Sequence, residues 1–321
     1  MNLSEYSQRM NRVLDHIDRH LDQPLELDTL ADVAHFSRFH FHRVFSAWVG
    51  ETFGDYLRRR RLETGAFYLC ARPRATVLEV ALLVGFGSGE AFARAFRQRF
   101  GCTPSAWREQ APARLAEGLE QVRERRLAQR PGGHRNPDQA DRNPDQETGA
   151  PDGQNGGSSF FQEPAMHVRL VDFPEVKVAY MRHIGPYGPS IGRFWREQFA
   201  PWLQATGLAG AQCYGLGLDD PAVTPAERCR YDACVELPDG FVPDGRANLA
   251  TLPGGRYAVT TFTGNPMTIG DAWVEFFRDW LPKSGFRCDA RPCFEYYPRR
   301  VEQGVPPDAF TCDICIPVAP L

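Results

Sequence analysis

Glu295 stands where an acidic side chain is out of character. Its neighbours Cys293, Phe294, Tyr296 and Tyr297 read as a strand. A carboxylate withdrawn from water must be ion-paired, hydrogen-bonded or protonated. Two roles fit: a strand-edge Glu paired with Arg291 or Arg299, or the anionic wall of a site for an organic cation whose other walls are aromatic. Arginine offers a second chemistry. Clusters at Arg38/Arg43, Arg58-Arg59-Arg60-Arg61 and Arg94/Arg97/Arg99 suit phosphate contact, although charge runs commonly form solvated helix faces. Cys312-x-x-Cys315 lies in an apparent strand, where residues three apart face opposite ways, so buried thiols are expected rather than a metal or redox pair. His16 and His20, four apart on a helix, lack the carboxylate or cysteine partners of a metal site. No cofactor, catalytic group or metal is expected.

These residues need elements to hold them. The 321 residues, 42% hydrophobic and 24% charged, suit two globular domains. No run of eighteen apolar residues is present, and Met1–Tyr6 lacks the order of a signal peptide, so a cytoplasmic protein without a membrane span is expected. The odd count of nine cysteines fits that compartment. Net charge is −3, which argues against a general nucleic-acid sponge. The charges are uneven: residues 1–112 hold 15 Arg, no Lys and 13 acidic residues, whereas residues 165–321 hold 15 basic and 18 acidic ones. Three segments are expected: a helical domain over 1–112, a helix and flexible polar linker over 113–163, and an α+β domain over 164–321. The linker reading rests on the Pro-, Gly-, Asp-, Asn- and Gln-rich stretch 130–157, which cannot bury enough surface to offset its ordering entropy.

Both domains contain a repeat. At an offset of 51, Ser37 pairs with Ser88, Phe41 with Phe92, Arg43 with Arg94, Phe45 with Phe96, Gly50 with Gly101 and Thr52 with Thr103. Each copy has the parts of a helix-turn-helix: a serine cap, phenylalanines four apart facing the core, and a glycine ending the helix. At an offset of 78, Ile191, Gly192, Trp195, Phe199 and Trp202 pair with Ile269, Gly270, Trp273, Phe277 and Trp280; at 81, Asp232 and Cys234 pair with Asp313 and Cys315. A strand–helix–strand–strand unit therefore occurs twice, which implies a pseudo-twofold sheet with a groove between halves.

The run Gly85-Phe86-Gly87-Ser88, Phe92-x-Arg94-x-Phe96-x-x-x-Phe100-Gly101-x-Thr103-Pro104-x-x-Trp107-Arg108 resembles the AraC/XylS signature, and residues 8–110 resemble its DNA-binding module. The resemblance implies a transcription regulator, more commonly an activator. Outward positions of the first recognition helix are Arg38, Phe39, His40, His42 and Arg43, with Ser37 as cap and phosphate contact. The family reads bases at the positions of 39, 42 and 43. The second offers Glu90, Arg94 and Arg97 after Ser88, a poorer set for reading bases and a better one for holding backbone.

His183-Ile184-Gly185-Pro186-Tyr187 and Phe294-Glu295-Tyr296-Tyr297 resemble the GyrI-like effector-binding domain. That resemblance puts Glu295 on the acidic residue the family uses for ligands. Tyr187, Phe194, Trp195, Tyr214, Phe262, Trp273 and Tyr297 are the expected aromatic lining, around a small lipophilic and cationic effector. Expected partners are double-stranded DNA, the effector, RNA polymerase and a second copy as homodimer. Two other readings of the second domain stay open: a hydrolase of small reactive compounds, with Glu295 and a tyrosine activating water, and a protein-binding module.

Overall fold

A computed structural model describes residues 3–72, 74–110, 166–242, 244–297 and 309–321. The helix expected after Ala113, the polar linker and Arg299 lie outside the described residues. Among the described residues, seven helices build the first domain: α1 (Leu3–Arg19), α2 (Leu27–Ala34), α3 (Arg38–Val49), α4 (Phe53–Ala71), α5 (Val77–Leu83), α6 (Gly89–Phe100) and α7 (Pro104–Glu109). Pairs α2–α3 and α5–α6 are the two helix-turn-helix units. Phe41 and Phe45 lie in the first core with Met10, Val13 and Ile17, and Phe92 and Phe96 in the second with Val80, Ala81 and Trp107. Gly50 and Gly101 end α3 and α6 in the left-handed conformation, φ 76° and 77°. The turns differ: the second uses Gly85 at φ 80°, the first His35 at φ 53°, where a Cβ is strained.

The second domain is one antiparallel sheet. Its strands are β1 (Val168–Phe173), β2 (Val176–Ile184), β3 (Cys213–Gly217), β4 (Arg230–Glu236), β5 (Asn248–Leu252), β6 (Gly255–Gly264), β7 (Phe286–Cys288), β8 (Phe294–Tyr297) and β9 (Phe310–Pro320). They run in the order β1-β6-β9-β8-β3-β4-β2-β5, with β7 added to β9. Read from the other end, the order exchanges β5-β2-β4-β3 with β1-β6-β9-β8. A pseudo-twofold axis thus passes between β3 and β8, where Gly215 faces Glu295. Each repeat sends its first strand to the other half: β1 pairs β6, and β5 pairs β2.

Helix α8 joins Pro189–Phe194, a π turn at Trp195–Phe199 and Ala200–Ala205; α9 joins Ile269–Glu275, a π turn at Phe276–Trp280 and a 3₁₀ turn at Leu281–Lys283. Each π turn ends two residues before a proline, Pro201 or Pro282. Proline lacks the N–H that an α-helix needs and crowds the carbonyl four residues back, so the bond register widens there. Apolar residues of α8 and α9 cover one sheet face, packing on Ala179, Tyr231 and Ala233 and on Ala258, Cys312 and Ile314. Val178, Tyr180, Tyr214, Cys234, Phe294 and Cys315 form the core of the opposite face. Cys312 and Cys315 thus lie buried on opposite faces, as free thiols.

Candidate functional site

Glu295 sits at the sheet axis, on the face that carries both helices. It accepts hydrogen bonds from Tyr297 Oη at 2.7 Å, Tyr231 Oη at 3.0 Å and Trp273 Nε1 at 3.3 Å. Trp195 Nε1 donates to Tyr231 Oη at 3.2 Å, and the Trp195 and Tyr297 rings lie 5.1 Å apart. These four aromatic partners come from α8, α9, β4 and β8, so both repeats converge on one carboxylate. Burial, and then the Glu295 charge, push the Tyr231 and Tyr297 hydroxyls well above their ordinary range. Both stay protonated and serve as donors. Gly215 makes the cluster possible: a Cβ there would lie 2.0 Å from Tyr231 Oη and 2.7 Å from a Glu295 oxygen. A glycine inside a strand is a sequence signal for such close approach. Arg291, one of the proposed ion partners, is engaged elsewhere, on Asp289 and on the carbonyls of Gly254 and Arg256.

The other expected lining residues divide. Phe262 shares the face of Glu295, its ring 5.6 Å from Phe310, which is 6.1 Å from Tyr297. Phe194 is buried against His183 and belongs to the core under α8. Tyr187 donates to Arg230 O at 2.6 Å and accepts from Asp219 N at 3.1 Å, with its ring 6.4 Å from Tyr231. Tyr214 requires a correction. It neighbours Gly215 in β3, so strand parity turns it to the other sheet face, against Phe294 and Tyr296. It cannot line a site at Glu295. Tyr231 is the residue the sequence reading missed.

On the first domain, Arg38, His40, His42 and Arg43 of α3 are exposed, as are Glu90, Arg94 and Arg97 of α6. Nothing is described of the Phe39 side chain. His40 packs on Phe36 at 4.8 Å, and Arg38 pairs with Asp28 at 3.3 Å. Ser88 caps α6 by accepting from Ala91 N at 3.1 Å, whereas Ser37 makes no side-chain cap bond. Hydrogen bonds from the N-terminus of α6 and Ser88 hold the Glu90 carboxyl below its usual range. The run Arg58–Arg61 also needs correction as a phosphate stripe. Arg59 pairs with Glu51 and Glu63, Arg60 is buried among Asp18, Glu63 and Asp219, and Arg61 donates to Leu21 O and Gln23 O. Arg58 points outward, to Gln98 of α6. Arg99 likewise turns to Glu63 and Val223 O. The His16 and His20 rings lie tilted with centroids 4.3 Å apart, and His20 Nδ1 lies 2.7 Å from His16 O.

The two domains are docked, with the outward residues of α3 and α6 still exposed. Arg230 of β4 reaches Asp18 of α1 at 2.7 Å and Asp219 at 2.9 Å; Arg60 of α4 completes the cluster through Asp18 at 3.1 Å and through Asp219. Arg182 of β2 holds Asp15 of α1 at 2.8 Å and Asp232 of β4 at 2.7 Å. Burial raises Asp18, but Arg230 and Arg60 outweigh it and hold the carboxyl below its usual range. At Asp232 burial wins over Arg182, and its carboxyl is raised. Val223 packs on the second helix-turn-helix core, and Phe67 and Ala71 pack on the cluster that contains Phe276 and Val318.

Two tandem helix-turn-helix units joined to a duplicated sheet domain define a DNA-binding regulator with a small-molecule binding domain. Family models agree: the helix-turn-helix domain matches residues 30–110, and the GyrI-like small molecule binding domain matches residues 166–319. Probable transcriptional regulator YgiV of Escherichia coli K12 is 31% identical over 159 residues, 48% of this chain and 97% of YgiV. Regulatory protein SoxS of Salmonella typhimurium is 34% identical over 103 residues, 32% of this chain and 95% of SoxS. The right origin-binding protein of Escherichia coli K12 is 42% identical over 94 residues, 29% of this chain and 32% of that protein. The chain belongs to the AraC-type helix-turn-helix regulators and carries a C-terminal GyrI-like domain. Among the described residues, no helix is long and apolar enough to cross a membrane.

Proposed function

We propose that this chain is a one-component cytoplasmic transcription activator whose Glu295 site binds a lipophilic organic cation. One observation carries the reading: a carboxylate at the junction of the two repeats, ringed by Trp195, Trp273, Tyr231 and Tyr297. Carboxylate and aromatic faces together favour a large, weakly hydrated cation over a neutral isostere. Tetraphenylphosphonium should bind the full chain and quench its tryptophan fluorescence. Glu295→Gln should weaken that binding by about thirtyfold, while neutral triphenylphosphine oxide should bind wild type and variant equally. Equal affinity of the cation for both proteins would remove Glu295 from the site.

The same titration addresses the hydrolase. Tyr231 and Tyr297 keep their protons, so neither supplies a base. A hydrolysable ester of comparable shape should remain unconsumed.

On DNA, α3 sets sequence preference and α6 holds backbone. Arg43 can grip guanine O6 and N7 together, and His42 stands beside it. RNA polymerase is the partner an activator of this kind recruits, and a homodimer would double the contact with DNA.

A further inference from the structure

The side chains of β4 alternate between two sites. Tyr231 faces the helices and donates to Glu295. Its neighbours Arg230 and Asp232 face the first domain. Arg230 binds Asp18 of α1 and Asp219, and also donates to Tyr56 Oη of α4 at 3.3 Å. Asp232 orients Arg182, which holds Asp15 of α1. Tyr187 ties the same point from the helix side, since its hydroxyl donates to Arg230 O and accepts from Asp219 N. Three consecutive residues thus connect the carboxylate site with both α1 and α4, the helices that frame the two helix-turn-helix units.

The repeat shows that this arrangement belongs to one half only. Asp232 and Asp313 are equivalent in the sheet. Asp313 pairs with Arg169 of β1 near the surface, at side-chain exposures of 20% and 42%, while Asp232 and Arg182 are buried at 7% and 2%. Where β4 has Arg230 and Tyr231, β9 has Thr311 and Cys312.

We propose that β4 is the coupling element of the molecule, in which the hydrogen bond between Tyr231 and Glu295 sets the position of Arg230 and Asp232 and thereby the hold of the second domain on α1 and α4. A ligand that takes over Glu295 from Tyr231 releases that hold and lets the two helix-turn-helix units change their relative placement. Ligand dependence rests on the reading of Glu295 as the ligand site; the link from Tyr231 to the interface does not.

Hydrogen exchange by mass spectrometry on the full chain tests both parts separately. Asp18→Asn, with Arg230 and Arg60 left in place, should speed exchange in α1 and α4 by about tenfold. Tyr231→Phe removes one hydroxyl and keeps the ring. It should speed exchange in the same two helices severalfold without any ligand, and Gly215→Ala, which displaces the same hydroxyl, should do likewise. Tetraphenylphosphonium should reproduce the effect in wild type and add nothing in Tyr231→Phe. If Tyr231→Phe and Gly215→Ala alter exchange only in β3, β4 and β8, with α1 and α4 unchanged, the coupling is overturned. Failure of the cation to protect the Trp195 and Glu295 segments would instead count against the ligand reading, whatever α1 and α4 do in the variants.

Discussion

The two halves of the sheet domain share a plan and differ in what they face. In the first half, β2 and β4 place Arg182, Arg230 and Asp232 under α1 of the DNA-binding domain. In the second, Asp313 occupies the equivalent place and meets Arg169 at an edge strand. The second half supplies Glu295 and Trp273; the first answers with Tyr231 and Trp195. Two similar frames are used differently: one is a docking surface and the other carries the carboxylate. A pseudo-symmetric scaffold can thus hold a ligand on its axis and transmit through one side.

Paired substitutions break that comparison most sharply. Asp232→Asn leaves Arg182 buried with half its partners and should cost about 3–5 kcal/mol. Asp313→Asn, at a surface pair, should cost at most about 1 kcal/mol. Equal midpoint shifts in urea would mean the halves are energetically alike. The recognition helices allow the next test. Arg43→Ala should lose about 1–3 kcal/mol on a selected DNA site and relax specificity at one base pair. Arg94→Ala should weaken all sequences alike and lower the salt slope by about one. Reversal of the two patterns would reassign which helix reads. The caps give a smaller contrast: Ser88→Ala should cost about 1 kcal/mol, and Ser37→Ala, whose side chain makes no cap bond, a fraction of that.

Acid offers the mildest probe. Asp18 has a depressed carboxyl in the docked state, so its contribution is fully present above the free Asp value of about 3.9 and is lost as pH falls through the depressed one. Exchange in α1 should therefore show no Asp18-dependent rise between pH 5 and 8, and a rise below pH 4 that Asp18→Asn lacks.

The helical domain was legible because its code is local. Phenylalanines four apart, serine and threonine caps and closing glycines recur at one offset, and each acts within a turn or two of chain. Six strands and both long helices of the second domain were legible for the same reason. Strands β1, β5 and β7 were not: Val-Arg-Leu-Val-Asp-Phe and Asn-Leu-Ala-Thr-Leu are short edge strands with exposed residues such as Leu170 and Leu249, and Phe-Arg-Cys spans only three residues, so their pattern is weak. Glu295 announced itself by contrast with its neighbours. Tyr214 was misplaced because its face depends on register, which the Gly215–Glu295 pairing sets. The arginine run misled because the partners of Arg60 include Asp219, 159 residues away. Nothing local distinguishes an arginine awaiting phosphate from one awaiting another domain.

The central claim is that one carboxylate governs DNA binding from a distance. Its most direct test is a titration of the full chain on a DNA site selected from a random pool, with and without saturating tetraphenylphosphonium, in wild type and Glu295→Gln. The account predicts that the cation, at a concentration that just saturates wild type, changes the DNA dissociation constant of wild type and changes that of Glu295→Gln much less. An equal change in both proteins, or none in wild type despite demonstrated binding of the cation, would contradict it.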